Sequence, residues 1–423
     1  RDDVESRGLG DVYKRQIYTL FYLLIMSVKF ILSNTFGFSA DNMYRLIAKN
    51  VGNGRQIVIV PDKFSLAFER NILKKLGLTS TFDVDVTSFM RLAVKAMRGK
   101  NRKCLTPEGS VMLLKRAIDE VKNDLTVYKD VDDVTFPREM YAVITALRNS
   151  GVNAENTLAV DDEKLKDVGI IYEKYLEILH KSFIDSTSRL EAFSAGIGDD
   201  FSDADVYIFG FPDFTATQYE IIFRLFVHAR NVTIGLIAPD DDAKNKGLYP
   251  SRAFKKLTSG LSDANIAYDV TYAFVGLDNV KKQLSNLFSY AKLPSVETDG
   301  KVEIIEAKNI MDEMEYVAKN IRRAVIEQKL RYKDFAVVVP SSDDYENDVR
   351  NVFTRYDVPY FLDKKIPFSS APQARYILSA IRCASDGFDF SDVNALIKNP
   401  LFFKTPEAVS YTHLRAHETR RHL

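Results

Sequence analysis

The chain has 423 residues, 46% of them hydrophobic and 12% aromatic, and its 58 Lys and Arg balance 58 Asp and Glu. That balance excludes a global basic field, so contact with a polyanion has to use local patches. The two cysteines, Cys104 and Cys383, lie far apart in sequence, which excludes a clustered cysteine metal site within this chain and fits a reducing compartment.

The ends differ in style from the rest. "RDDVESRGLGDVYKRQ" at the start and "SYTHLRAHETRRHL" at 410–423 resemble translated sequencing-adapter sequence. Residues 1–25 are therefore set aside as a non-native or upstream segment and 410–423 as an adapter-derived tail. A native start at Met26 is expected, and the native chain is expected to continue past residue 409. His413, His417 and His422 go with the tail, leaving His180 and His228 on two predicted helices, where surface or hydrogen-bonded roles outweigh metal ligation. Lys14-Arg15 followed by "IYTLFYLLIM" mimics a signal peptide, but the apolar run is too short to span a bilayer and Lys29 interrupts it. A soluble, cytoplasmic protein is expected, with no membrane partner.

From Lys29, "KFIL" reads as a strand, then a loop, then a helix carrying Met43, Leu46 and Ile47. That is the setting of a phosphate loop, whose pattern G-x-x-x-x-G-K-[ST] supplies backbone N–H groups and a lysine for phosphates and a hydroxyl for Mg²⁺. The loop Ser33–Ala40 has one glycine and no lysine.

Further strands are predicted at "QIVIVP" (56–61) and "FDVDVTSF" (82–89), the first a continuous apolar run suited to a parallel sheet buried on both faces. Thr106-Pro107 caps a helix with the stripe Val111, Leu114, Ile118 and Val121. From about 104 to 200 the pattern is helical with no convincing strand. Strands resume at "DVYIFGF" (205–211) and "NVTIGLIA" (231–238). "LPSVETDG" (293–300) is polar and turn-rich and marks a domain boundary. Beyond it, "KVEIIEA" (301–307) and "FAVVVP" (335–340) read as strands around a helix with Met314, Val317, Ile321 and Val325. The fold class is α/β, doubly wound.

Three motifs recur as strand, loop, helix: "VPDKFSLAFER" (60–70), "VTSFMRLAVKAM" (86–97) and "IFGFPDFTATQ" (208–218). In this order they resemble the first half of a superfamily 1 helicase. The resemblance is closer still to AddB, the second subunit of bacterial AddAB helicase–nucleases. The first is similar to that family's "VPEQFTFQAER", the third to its "IDGFxxFTPQ", and "VPYFLDKKIPFSSAP" (358–372) to its "IPYFLDxxxPLxxHP". The likeness covers roughly 27–403.

The resemblance implies a RecA-type parallel-sheet domain, 26–103 and 201–295, interrupted by a helical insertion at 104–200, with a second RecA-like domain starting over 300–409. It also implies DNA and an AddA-like helicase–nuclease motor subunit as partners, in a complex that resects double-strand breaks for recombinational repair. The family's C-terminal PD-(D/E)xK nuclease, with Mg²⁺ and a 4Fe–4S cluster held by cysteines, would lie beyond residue 409, and ATP would act in the complex.

In chemical terms, three ATP elements are absent. There is no phosphate-loop lysine. No acid pair follows Val206–Phe209, which runs into Gly210-Phe211, and Pro340 follows Val337–Val339 where helicases place an arginine. No cofactor, metal or catalytic residue is therefore assigned here. The face away from the ATP site carries single-stranded DNA in helicases of this type. It suits Lys63, Phe64, Ser65, Thr87, Ser88, Phe89 and Arg91, with cations for phosphates and rings for stacking on bases. The competing reading makes Phe64 and Phe89 core residues at strand ends. "KAMRGKNRK" (95–103) has five basic residues and no acid, and reads as a phosphate track or a solvated loop. Asp240 with Asp242-Ala243-Lys244, and Asp363-Lys364-Lys365, match a nuclease pattern only superficially and are rejected. Two rival functions stay open: an active DNA-dependent NTPase motor, and a protein-only scaffold.

Overall fold

The computed structural model describes residues 27–77, 83–98, 103–238 apart from 132 and 134, 249–285 apart from 277, single residues at 295, 297, 298 and 300, and 302–402 apart from 365–367 and 386. The chain divides into two compact units, Arg1–Asp299 and Gly300–Leu423.

In the first unit, β1 (Ser27–Ser33) leads to α1 (Phe36–Lys49), β2 (Arg55–Ile59), α2 (Ser65–Leu76), β3 (Val84–Thr87) and α3 (Phe89–Ala96). A two-residue strand β4 (Lys103–Cys104) precedes α4 (Pro107–Val121), α5 (Phe136–Ser150), α6 (Ala154–Leu158), α7 (Glu163–Ser182), β5 (Phe183–Ile184) and α8 (Ser186–Ala195). Then come β6 (Ala204–Phe209), α9 (Ala216–His228), β7 (Asn231–Ile237), α10 (Tyr249–Asp263), β8 (Tyr268–Tyr272) and α11 (Asn279–Ser285).

Six strands form one sheet in the order β3-β2-β6-β7-β1-β8, with every pair parallel. Successive strand residues face opposite sides, and the two faces have separate cores. Val28, Phe30 and Leu32 of β1 pack with Phe89, Leu92, Leu225 and Leu257 from α3, α9 and α10. Ile31 of the same strand packs with Met43, Ile47, Phe68 and Ile72 from α1 and α2. A sheet covered on both faces needs continuous apolar strands, which is what "QIVIV" supplies.

Strand β8 escaped the sequence pattern. Its "YDVTY" is mostly exposed, because an edge strand has one neighbour and an open side. Between β3 and β6 the regular structure among the described residues is helical except for β4 and β5. These pair in parallel, Lys103 with Phe183 and Cys104 with Ile184, so the stretch 104–200 does contain strand, too short to leave a sequence signal.

The helices α4 to α7 have their own core, including Leu114, Ile118, Ile144, Ile171, Tyr175 and Leu179. Within it lies an ion cluster. Buried Arg148 donates to Asp185 at 2.7 Å, to Ser188 at 2.8 Å and to both oxygens of Glu191 at 3.0 Å. Tyr175 donates its hydroxyl to Asp185 at 2.9 Å, and the Ser188 N–H donates to the same carboxylate at 2.7 Å, capping α8. Burial pushes the Asp185 carboxyl up, but the Arg148 charge and these hydrogen bonds outweigh it and hold the group below the usual carboxylate range. Asp167, also buried, accepts the backbone N–H groups of Thr126, Val127 and Tyr128 and pins that loop to α7.

In the second unit, α12 (Ile310–Glu327) and α13 (Ser342–Arg355) pack through Met314, Ala318, Ile321, Val349, Val352 and Phe353. Helices α14 (Pro372–Ser385) and α15 (Phe390–Ile397) follow. The strands expected at 301–307 and 335–340 are not formed in the described residues. A strand exists only when its N–H and C=O groups meet a neighbour's, and no ladder pairs these segments. Ile304 is 95% exposed and Val338 93%. Among the described residues no helix is long and apolar enough to cross a membrane.

Candidate nucleic-acid interface

The proposed site residues sit where β2 and β3, neighbours in the sheet, run out at their C-terminal ends. Pairing outlasts the strands, since the Val60 N–H donates to the Thr87 carbonyl at 3.0 Å. Pro61 then fixes an extended residue before a single 3₁₀ turn, Asp62–Phe64, closed by the Phe64 N–H to the Pro61 carbonyl at 2.8 Å. On the neighbouring strand, Ser88 is the N-cap of α3 and accepts the Arg91 N–H at 3.2 Å.

The two loops are bound to each other. The Ser88 hydroxyl donates to Asp62 Oδ1 at 2.5 Å, and Arg91 Nε lies 3.8 Å from the same oxygen. Ser65 donates to the Asp62 carbonyl at 2.9 Å. Asp62 was not among the predicted site residues, although it lies in the quoted "VPDKF" motif. Its role shows only in three dimensions.

The seven predicted residues separate by burial. Lys63 and Arg91 are exposed and Phe64 is half-buried, whereas Ser65, Thr87, Ser88 and Phe89 are buried. At 3% exposure, Phe89 has no ring face open to a base. Its neighbours are Phe211 at 5.4 Å and Phe214 at 6.4 Å between ring centres. In this conformation its part is packing, because the first residue of an amphipathic helix at a strand end turns towards the sheet. Ser65 is spent on its own turn, Ser88 on capping α3 and on Asp62, and Thr87 is buried. The surface the site offers is Lys63, Arg91 and the half-buried ring of Phe64.

The loop after β6 closes against this pair. Gly210 has φ +87°, and a Cβ there would lie 3.2 Å from Pro61 Cδ, so both its conformation and the approach of the next loop favour glycine. Half-buried Phe211 and Asp213 follow, and Tyr219 donates its hydroxyl to Asp213 at 2.5 Å. Burial first, then this carboxylate, pushes the Tyr219 hydroxyl well up. Gln218 is spent on a capping box with Thr215. The aromatic pattern of "GFPDF" was the signal that this loop adjoins the site.

The degenerate phosphate loop is two residues long, Asn34 and Thr35, before α1 begins. Asn34 donates to the Val275 carbonyl at 2.8 Å and accepts the Val275 N–H at 3.0 Å. Thr35 caps α1. Phe36 follows, its ring 5.2 Å from Phe64 and 5.0 Å from Phe209. The Ser33 and Ser39 hydroxyls are buried without partners, Ser39 lying against Gly235 of β7 inside the sheet–helix layer. These residues do not fit a nucleotide triphosphate with Mg²⁺: there is no cation for the phosphates, and an aromatic ring follows the cap.

The remaining candidates resolve in part. Asp240, Asp242 and Lys244 lie outside the described residues, as do 99–102 of the basic run and Lys365. Lys95 of that run pairs with Asp85 at 3.0 Å. Lys364 pairs with Asp343 at 2.6 Å and with Glu346, so it ties its segment to α13. His180 and His228 sit in the last turns of α7 and α9. Cys104 is exposed and Cys383 buried. Among the described residues no three His, Cys, Asp or Glu side chains come together as a metal site.

Residues 39–283 match the family model "ADDB, N-terminal", and residues 267–415 match the model of the "UvrD-like helicase C-terminal domain". Curated relatives carry the name "ATP-dependent helicase/deoxyribonuclease subunit", in each case the one lettered B. The protein of that name from Clostridium novyi (strain NT) is 28% identical over 397 residues, covering 88% of this chain and 35% of that protein. Its counterpart from Bacillus subtilis (strain 168) is 26% identical over 384 residues, covering 83% and 33%. That from Clostridium kluyveri (strain NBRC 12016) is 26% identical over 409 residues, covering 89% and 35%. The chain spans about a third of the length of the curated relatives it matches.

Proposed function

The chain belongs to the AddB family, and on that premise we propose that it is the non-motor, helicase-like part of a helicase–nuclease subunit. It guides a single DNA strand across the C-terminal ends of its parallel strands and binds an AddA-like motor subunit, in a complex that processes double-strand breaks for recombinational repair. In this reading the sheet unit is the RecA-type domain, the helices between β3 and β6 are its insertion, and the protein works in the cytoplasm.

The observation that carries the reading is the joined pair of strand-end loops. Asp62 and Ser88 lock them together and leave Lys63 and Arg91 on one exposed edge. Two cations can neutralise two phosphates, and Phe64 can lie against a base. The loop at 33–40, occupied by the Asn34–Val275 pair and the Phe36 ring, argues for a scaffold rather than a motor.

Two titrations test this. Single-stranded DNA should bind weakly, with little sequence preference, and less as salt rises. Mg-ATP, followed by calorimetry, should give no binding at micromolar concentration. Saturable micromolar ATP binding lost on changing loop 33–40 would overturn the non-motor reading. Absence of DNA binding at low salt would leave only a protein-binding scaffold.

A further inference from the structure

We propose that the sheet unit carries a second anion site, away from the strand-end loops, which takes one phosphate dianion: inorganic phosphate or the phosphate monoester of a small molecule. A cleft of about 220 Å³ is lined by Lys29, Asn42, Arg45, Lys49 and Thr271, with Ile31 among its apolar lining.

The register makes Lys29 conspicuous. Positions 29, 31 and 33 of β1 share the face that packs on α1, where Ile31 and Ser33 are buried. Lys29 occupies the first of these core-facing places and is half-buried. An apolar residue is the default at such a place, since a partly desolvated ammonium needs compensation. Arg45 and Lys49 lie one turn apart on α1, a spacing at which like charges repel.

No ion pair relieves these three cations among the described residues. Asp269, the Cα partner of Lys29 on β8, forms no salt bridge with it. An entering anion would settle all three charges at once.

The choice of anion follows from charge and shape. A phosphate monoester carries roughly −1.5 to −2 at pH 7 and three strong acceptor oxygens, against one charge on a carboxylate or a phosphodiester. Two ammonium groups, one guanidinium and the Thr271 hydroxyl supply donors for that many acceptors. A nucleic-acid strand needs cations spread along a track, whereas these meet at one small cleft.

The test uses the full chain in phosphate-free, low-salt buffer. Calorimetric titrations would be run with inorganic phosphate, with glycerol 3-phosphate, and with an oligothymidylate lacking terminal phosphates. Phosphate or the ester should bind saturably, the tighter of the two identifying the source. Lys29→Gln and Arg45→Gln should each weaken binding at least about tenfold, the loss of one charge-assisted hydrogen bond. Lys63→Ala and Arg91→Ala should leave it unchanged, which separates this site from the strand-end loops. Should Lys29→Gln fail to fold, Arg45→Gln with Lys49→Gln changes only exposed residues and carries the test. Absence of saturable binding by either phosphate compound overturns the proposal. So does binding that the Arg45/Lys49 pair leaves intact, or an oligothymidylate that alone depends on these residues.

Discussion

The Ser88 hydroxyl donates to the Asp62 carboxylate at 2.5 Å, joining two loops 26 positions apart in sequence. Ser88 also caps α3, and Asp62 opens the turn before α2, so one hydrogen bond sets the relative placement of two helix starts. Asp62 also places a negative charge 3.8 Å from Arg91 on the edge proposed to hold DNA.

Asp62→Asn keeps an acceptor for Ser88 and removes that charge. Single-stranded DNA should then bind more tightly at low salt, by about fivefold if the change is worth about 1 kcal/mol. Fluorescence anisotropy with a labelled oligothymidylate would measure it. Weaker binding would mean that the charge orders the site more than it repels the strand.

Lys63→Ala and Arg91→Ala should each weaken DNA binding. Each should also lower the slope of log affinity against log salt by about 0.7, the value for one phosphate contact on a single strand. A slope unchanged in both variants would place the strand elsewhere.

Phe89→Ala should cost about 3–5 kcal/mol of stability by opening a cavity beside Phe211 and Phe214. Phe64→Ala, starting half-buried, should cost less and weaken DNA binding with little change in salt slope. Urea denaturation beside the DNA titrations separates the two. A stable Phe89→Ala chain with weakened binding would restore Phe89 as a stacking residue.

Arg148→Ala should destabilise by about 3–5 kcal/mol, because it strands the Asp185 charge in the helical core. The pH dependence gives a second reading. The folded Asp185 carboxyl titrates below its unfolded value, so its contribution is present above about pH 4 and lost as pH falls through the lowered folded value. Without Arg148, burial dominates and the carboxyl moves up, so stability should rise as the solution is acidified towards pH 4. Thermal melts of both proteins at a series of pH values would show the reversal.

The central sheet was legible because β1, β2, β6 and β7 are rich in buried apolar residues on both faces, with few polar interruptions such as Lys29 and Thr233. Strand β8 was not, since an exposed edge leaves Asp269 and Thr271 as acceptable as valine. At 301–307 and 335–340 the same apolar signal misled. It reports a wish to be buried and cannot say whether a neighbouring strand is present to accept the pairing.

The site divided in a similar way. Lys63 and Arg91 were proposed from residue type and position at a strand end, and both are exposed. Whether Phe89 faces water or the sheet depends on the turn taken after Ser88, which composition does not encode. Asp62 stayed hidden because its partner is 26 positions away.

The reciprocal bonds between Asn34 and Val275 bear on how such a chain can change over time. A phosphate loop needs eight residues in a set pattern. Here two residues join β1 to α1, and both are engaged, Asn34 across to Val275 and Thr35 as a helix cap. Introducing a lysine alone would restore no nucleotide chemistry. The loop would also have to lengthen, give up Asn34, and evict Phe36 from its contacts with Phe64 and Phe209. Two of these steps give up contacts that the loop now makes. A phosphate loop could therefore arise at this place only through several changes made together, in length, in the Asn34–Val275 pair and in the seat of the Phe36 ring.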